Sequence, residues 1–484
     1  MGQQTRAEDA PERPLVPLAR NRALVIELEG ALLRSSLLLE SVFADPGRWL
    51  ACLRGLARHG MSGVEQVLDA ADIGYAHLPY EPDVLSLSLA ARAQGRKIYI
   101  TAGRFPDHAA AIAAHLGFDG IVDLAHVSAG NAAIDSRAPA SAFDAGNFEY
   151  IGGSRAPGGV WRSAAAACVV GASDRLLRDL TLLNPSLRRI GRRDTAWRTW
   201  LSALRVHQYA KNTLVFVPAL TSHQINMPTL GCALLAFLAF SACASSAYLL
   251  NDLFDLADDR QHPTKRYRAI ASGDLSISSA LIAIPALWIA SAAAGLSISG
   301  MFPAILGAYL ITTIAYSLFL KKKMLVDIVT LAGLYTVRIV GGAVAIGVHL
   351  SEWLLIFSLF VFTSLALIKR YGELMMRQGS GLSNPVNRDY RISDLQVIAA
   401  LAAASGMNAI TVFSLYASSP AVAQMYTRPW LLWLLNPLLL YWMGRALMMA
   451  HRQAMPDDPI IYTFTDKVSR MTVAAMMCVV LAAI

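Results

Sequence analysis

The sequence predicts an all-α integral membrane bundle preceded by a soluble α/β domain, and three observations carry that prediction. Hydrophobic residues make up 55% of the 484 residues and charged ones only 16%, well below the roughly 25% charged residues of ordinary soluble proteins. The apolar residues are unevenly spread: before about residue 210 they alternate with polar ones, and after it they form a series of runs near 20 residues long. Such runs match the length needed to cross about 30 Å of hydrocarbon. The chain also exceeds the ~250–300 residues at which one hydrophobic core stops growing. Three segments are expected: an α/β domain over 1–187, an amphipathic interfacial linker over 188–212 and a membrane body over 213–484.

Taken in order, RALVIELEG (22–30) reads as a strand and ALLRSSLLLESVF as a helix. GRKIYITAGRF (95–105) gives strand and turn, and HAAAIAAHLG (108–117) gives a helix. GIVDLA, FEYIGGSRA (148–156) and ACVVGA supply three further strands. Alternating strand and helix predicts a doubly wound parallel sheet. The polar N-terminal stretch lacks the apolar core of a secretory signal, so the domain is expected to stay in the cytoplasm. In the linker, Arg188, Arg189, Arg192, Arg193 and Arg198 mix with Trp197 and Trp200, the pattern of a helix lying on anionic headgroups. Cys52, Cys168, Cys232, Cys243 and Cys478 follow no metal-ligand spacing, so neither a zinc site nor a disulfide framework is expected.

About nine spans follow, near 213–224, 228–250, 278–299, 301–320, 324–348, 352–369, 394–416, 429–448 and 469–484. The segments 251–277, 321–323, 369–393 and 449–468 are rich in Lys and Arg, whereas the alternate loops hold only Arg428. Such asymmetry places the basic loops and the N-terminal domain on the cytoplasmic face of a bacterial-type inner membrane. The net charge of +8 is thereby assigned to membrane and phosphate contacts, and no nucleic-acid partner is expected. A homo-oligomer is compatible with the pattern.

Chemistry concentrates in SSAYLLNDLFDLADDRQHPTKRYRAIASG (245–273), where an apolar span ends in carboxylates. Charges at that depth are costly unless used. In a continuous helix Asp252, Asp255 and Asp259 would stand at i, i+3 and i+7 on one face. Three stacked like charges repel unless a cation sits among them, and hard oxygen ligands select Mg²⁺ or Mn²⁺. Asn251 adds a neutral oxygen. Lys265, Arg266 and Arg268, with His262, form a cationic group suited to phosphate. Acids followed by bases predict metal plus phosphate.

These residues resemble a family pattern. Asn251-Asp252-x-x-Asp255-x-x-x-Asp259 followed by HPTKRYRAIASG is similar to the first acidic motif of the UbiA prenyltransferase superfamily. The resemblance covers the chain from about residue 200 onward. It implies a nine-helix membrane bundle with a cytosol-facing site, in which Mg²⁺ bridges Asp side chains and a diphosphate. Most of the superfamily carries a second motif of paired carboxylates. The equivalent stretch here, YSLFLKKKMLVDIVTLAGLYTVRIVGG (316–342), has Asp327 alone. With Tyr316, Lys321 and Arg338, and with RVHQYAKN (205–212) and LIKRYGEL (367–374), it resembles instead the polyprenyl-phosphate phosphoribosyltransferase branch, of which decaprenyl-phosphate enzymes are typical. The implied reaction moves 5-phosphoribosyl from phosphoribosyl pyrophosphate to a polyprenyl phosphate, releasing pyrophosphate. On that resemblance Asp252, Asp255 and Asp259 hold metal, and Lys265, Arg266 and Arg268 hold donor phosphates. Lys321, Asp327 and Arg338 complete the pocket, Tyr316, Lys369, Arg370, Tyr371 and Glu373 support it, and Arg205, His207, Gln208, Lys211 and Asn212 face it. Arg388, Tyr390, Arg391, Asp394, Asp457, Asp458, Asp466 and Lys467 are expected to cap the pocket or dock the N-terminal domain. Two other readings remain open: a prenyltransferase using a prenyl diphosphate and an aromatic or other acceptor, and a non-catalytic receptor or carrier of isoprenoid phosphate.

The N-terminal domain resembles the haloacid dehalogenase (HAD) superfamily, whose first strand ends in Asp-x-Asp-Gly-Thr. Here Glu27 and Glu29 replace both aspartates, Thr101 suits the second motif, and Gly153 stands where a metal-binding Asp is expected. No lysine lies between Lys97 and Lys211. A longer carboxylate misplaces its oxygen, and a 1 Å error can cost about 10²-fold in rate. The domain is expected to be catalytically inactive.

Overall fold

The computed structural model describes residues 22–44, 49–69, 71, 73–123, 146–191, 196–385, 388–455 and 458–484. Arg192, Arg193 and Asp457 lie outside them. The chain divides into two compact units, one formed by residues up to Ala203 with Asp252–Leu281, the other by Leu204–Asn251 with Ile282–Ile484.

In the first unit six strands, β1 (Ala23–Ile26), β2 (Ile98–Thr101), β3 (Gly120–Val122), β4 (Phe148–Gly152), β5 (Ala166–Val170) and β6 (Arg188–Ile190), form one sheet in the order β3-β2-β1-β4-β5-β6. Every pairing is parallel. The strands are short, and β1 to β5 are largely buried on both faces, as parallel sheets covered by helices require. Leu24 and Ile26 pack with Ile98 and Ile100 on one face, while Val25, Tyr99, Tyr150 and Trp161 pack on the other. Arg188–Ile190, expected to begin the linker, is instead the sixth strand, its Arg188 in register with Cys168. Backbone pairing at the sheet edge leaves its arginine side chains exposed, which is why charge alone suggested a linker. The helix Ala196–Ala203 carries Trp197 and Trp200.

Strand order reverses between β1 and β4, the place where doubly wound sheets open a crevice beyond the strand ends. Here that crevice is closed by its own residues. Glu27 Oε2 accepts the Gly153 N–H at 2.5 Å, Glu29 Oε1 accepts the Leu37 N–H at 2.6 Å, and Thr101 Oγ1 accepts the Leu28 N–H at 3.0 Å. Burial, with a smaller push from Glu29, raises the Glu27 pKa against the Gly153 hydrogen bond. A Cβ on Gly153 would lie 2.7 Å from the Gly30 carbonyl oxygen.

Among the described residues six helices are long and apolar enough to cross a membrane: Met227–Phe254, Ile277–Ile298, Val326–Ile346, Glu352–Gly379, Ile392–Ala417 and Pro429–His451. Phe302–Leu318 is a shorter apolar helix. The sequence led us to expect about nine. The first expected span, 213–224, is the end of a 3₁₀ stretch, Val206–Phe216, followed by the five-residue helix Val217–Thr221. Polar His207, Gln208, Lys211 and Asn212 leave too little apolar length there for a spanning helix. The last, Lys467–Ala483, has 17 residues and so rises about 25 Å.

Small residues set the packing of the second unit, as is usual where lipid offers no hydrophobic drive between helices. Ala236, Ala239, Cys243 and Ala244 of Met227–Phe254 bury against Phe302, Leu306 and Tyr309. A Cβ on Gly342 would collide with the Val215 carbonyl, so Gly342 lets the helix Val326–Ile346 lie directly on the 3₁₀ stretch. That approach brings Arg338, one turn earlier, to Asn212.

Replacing Gly153 by Ala is expected to cost about 1–3 kcal/mol through overpacking. Thermal unfolding of the purified full-length protein should show a lowered transition; an unchanged transition would mean that the β1 and β4 tips part freely.

Candidate active site

The helix Met227–Phe254 ends immediately after Asn251 and Asp252, and a second short helix, Leu256–Gln261, begins behind Asp255. The expected continuous helix is therefore broken at Asp255, whose carbonyl accepts the Asp259 N–H at 2.7 Å. The break does not scatter the acids. Arg268 Nη1 donates to Asp252 Oδ1 at 3.2 Å and to Asp259 Oδ2 at 2.6 Å, so one guanidinium ties two buried carboxylates. His262 Nδ1 accepts the Thr264 and Lys265 N–H groups and shapes the turn that returns Lys265 and Arg268. Lys265 Nζ stands 4.0 Å from Asp259 Oδ1. Arg266 turns outward to the Tyr267 hydroxyl at 2.7 Å.

Asp259 Oδ1 is buried and has no hydrogen-bond donor. Burial, and then Asp252, raise the Asp259 pKa against the opposing pull of Arg268 and Lys265. Among the described residues no group of three or more His, Cys, Asp or Glu side chains is gathered as a ready metal centre. Mg²⁺, however, is usually held by one or two carboxylates with waters and substrate phosphates completing its shell. Asp252 with the donor-free oxygen of Asp259 fits that requirement; Asp255 sits at the helix break.

Three of the charged groupings in the second unit centre on Arg338, Asp327 and Asp458. Arg338, 4% exposed, donates through Nε to Asn212 Oδ1 at 2.7 Å, through Nη2 to the Tyr309 hydroxyl at 2.8 Å and through Nη1 to the Leu334 carbonyl. Asn212 is itself held by its Nδ2 donating to Ser241 Oγ at 3.0 Å. These acceptors are neutral, so none of them offsets the guanidinium charge. Asp327, fully buried, receives Arg370 Nη2 at 2.7 Å on Oδ2 and the Tyr390 hydroxyl at 2.5 Å on Oδ1. Arg370 also pairs with Glu373, and Arg388 lies 3.6 Å from Asp327 and 3.9 Å from Glu373. The Tyr390 hydroxyl accepts the N–H of Leu325, a left-handed residue (φ 62°) at the entry to the helix.

Asp458 gathers the third grouping. Its Oδ2 lies 2.5 Å from Lys211 Nζ and 3.9 Å from Lys369 Nζ, and its Oδ1 caps the helix Pro459–Thr465 by accepting the Ile460 N–H at 3.0 Å. Burial alone would raise the Asp458 pKa, but Lys211, Lys369 and its hydrogen bonds outweigh burial and hold it below the usual value of 3.8. Burial lowers the Lys211 pKa, and Arg338 and Arg205 add to that shift. Burial, and then Arg205 and Lys211, lower the His207 pKa.

The family model for the UbiA prenyltransferase family matches residues 213–468. The chain belongs to that family. It is also 32% identical over 467 residues, 93% of this chain and 89% of the relative, to the uncharacterized protein y4nM of Sinorhizobium fredii. It is 32% identical over 268 residues, 55% of this chain and 87% of the relative, to nodulation protein NoeC of Azorhizobium caulinodans. With decaprenyl-phosphate phosphoribosyltransferase of Corynebacterium glutamicum it shares 32% identity over 186 residues, 37% of this chain and 56% of the relative. As a UbiA member the protein is a multi-pass membrane transferase.

Within this UbiA chain the structure joins Asp252, Asp259, Lys265 and Arg268 in one unit. In the other it joins Asn212 with Arg338, Asp327 with Arg370, and Lys211 with Lys369. Tyr316 lies half-buried in the last turn of Phe302–Leu318, and Lys321 half-buried in the 3₁₀ turn Leu320–Lys322. Arg266 stays at the surface. Sequence reasoning placed Asp458 and Tyr390 in loops expected to cap the pocket or dock the N-terminal domain, and did not pair them with Lys211 or Asp327. The signals were present: Asp458 precedes a proline, as an N-cap does, and Tyr390 sits between Arg388 and Arg391.

Asp458→Ala is expected to strand the Lys211 ammonium and to destabilise the second unit by about 3–5 kcal/mol, whereas Asp458→Leu with Lys211→Met should cost far less in thermal or denaturant unfolding. The stabilisation from the depressed Asp458 pKa is present above 3.8 and is lost as pH falls through the lower folded-state value. The Asp458 contribution to the pH dependence of unfolding across that acid window should be absent in the double variant.

Proposed function

We propose that the protein is a Mg²⁺-dependent membrane transferase that moves 5-phosphoribosyl from phosphoribosyl pyrophosphate to a polyprenyl phosphate and releases pyrophosphate. The observation that carries this reading is the difference between the two acidic regions. Asp327 has both oxygens committed, to Arg370 and to Tyr390, and stands where two-metal prenyl diphosphate chemistry would need paired, available carboxylates. Asp252 and Asp259 keep a donor-free oxygen between them. Similarity to the Corynebacterium phosphoribosyltransferase supports the same donor.

Asp252 and Asp259 would hold the ion, with Asp255 and Asn251 adjoining in the chain. Mg²⁺ bound there would neutralise charge on the departing pyrophosphate. Arg268 and Lys265 hold the pyrophosphate oxygens by charge-assisted hydrogen bonds and steady the charge that develops as the anomeric bond breaks. Arg338, which keeps its charge among neutral acceptors, and the Lys211–Lys369 group supply cationic character for an acceptor phosphate. Because that phosphate is already an anion, no strong general base is required. The active face is cytoplasmic, where a soluble donor arrives.

The N-terminal domain, in this reading, is a degenerate HAD-like module without phosphatase activity. Glu27, Glu29 and Thr101 are occupied with backbone N–H groups, and Gly153 has no room for a side chain.

Purified protein given labelled phosphoribosyl pyrophosphate and polyprenyl phosphate should yield a lipid-extractable label that chelation abolishes. Arg268→Ala should lower kcat by about 10²–10³-fold, the loss typical of one transition-state donor, and Asp259→Asn should remove the response to added Mg²⁺. Product formed from a prenyl diphosphate instead, with none from phosphoribosyl pyrophosphate, would reverse the donor assignment.

A further inference from the structure

Resting on the reading of Asp252 and Asp259 as the metal-holding pair, we propose that the α/β domain is a positioning scaffold for the acidic loop and acts through the buried Glu40–Arg260 ion pair. Glu40 lies in the helix Leu37–Ala44, Arg260 in the short helix Leu256–Gln261, and 220 residues separate them in sequence. Both are buried, at 3% and 8% exposure. The guanidinium engages both Glu40 oxygens, Nη2 donating to Oε1 at 2.7 Å and Nη1 to Oε2. This is the bidentate fork that fixes orientation as well as distance.

Arg260 does more than hold the domain. Its Nε donates to the Ala271 carbonyl at 3.1 Å, so one side chain staples the outgoing arm of the loop to the returning arm. Arg268 lies between those arms. Asp259 and Arg260 are consecutive on a helix, so their side chains leave about 100° apart. One turns to Arg268 and the other to Glu40. A second tie lies farther along: Arg34 donates through Nη1 to Asp274 Oδ1 at 2.8 Å while Nε and Nη2 grip Glu81 at 2.8 and 3.0 Å. The loop is thus anchored at residues 260 and 274, on either side of Lys265 and Arg268.

A buried ion pair is about as stable as an apolar pair of the same shape, so stability alone does not call for this one. Its effect is registry. Glu40 touches neither ion nor substrate in this scheme; it is a positioning residue. A domain whose strand-tip acids are all engaged with backbone still acts on the reaction, through the geometry it imposes on Asp259 and Arg268.

The test uses the full-length protein in detergent, with amide hydrogen exchange of residues 256–275 and Mn²⁺ binding followed by electron paramagnetic resonance. Glu40→Gln is expected to speed exchange across the loop and to weaken Mn²⁺ by about 10-fold or more, the usual cost of removing a group that orients a ligand, with a rise in the KM for donor beside any fall in kcat. Where a lone buried guanidinium prevents folding, Glu40→Gln with Arg260→Gln removes both charges and should give the same two effects. Arg189→Gln, which breaks an exposed pair with Asp174, should change nothing. Wild-type exchange and wild-type Mn²⁺ affinity in either folded Glu40 variant would overturn the proposal. Absence of Mn²⁺ binding in the unsubstituted chain would overturn the metal reading instead, and exchange alone would then decide the scaffold.

Discussion

Charge taken out of water must be paired or used, and that constraint organises both units of this protein. An ionised group in a low-dielectric setting costs several kcal/mol unless a partner and hydrogen bonds compensate it. The buried carboxylates here meet it in different ways. Asp327 is balanced by Arg370 and Tyr390, Asp458 by Lys211 and Lys369, and Glu40 by Arg260. Asp259 is only partly balanced, since Arg268 serves one oxygen and leaves the other without a donor. Chemistry is expected where compensation is incomplete, because that is where an added ion or phosphate gains most.

The same logic accounts for the closed strand tips of the α/β domain. The carboxylates at the tips of β1 have been drawn into the backbone, one capping Gly153 and the other the helix after Ser36. Each hydrogen bond ties a strand-tip carboxylate to the backbone of its own domain. What the domain retains is a rigid surface, and the acidic loop is fastened to it by two arginines that run in opposite directions, Arg34 toward the loop and Arg260 from it.

Membership of the UbiA family accounts for the membrane body and for the acidic loop, and the lone, fully engaged Asp327 distinguishes this chain from the two-motif pattern. In the helical unit the polar groups sit at close helix contacts: Gly342 admits Val215, and Arg338 thereby reaches Asn212 and Tyr309. The hydrogen-bond acceptors around that buried arginine are neutral, so none of them offsets its charge.

Much of this was legible in the sequence. Period-2 and period-3.6 patterns gave five strands near their final places and six of the expected spans, because burial of apolar side chains acts on local sequence and needs no knowledge of partners. Asp252, Asp259, Lys265 and Arg268 were readable as one group because a single loop carries them all. Tertiary structure decided what local pattern cannot encode: that Arg188–Ile190 is an edge strand, that the helix breaks at Asp255, that Arg266 turns away, that Glu40 and Asp458 complete distant ion pairs, and that Tyr390 donates a hydrogen bond to Asp327. The reason is physical. Hydrophobic periodicity is a property of neighbours along the chain, whereas the partner of a buried charge is chosen by which backbones approach closely in space.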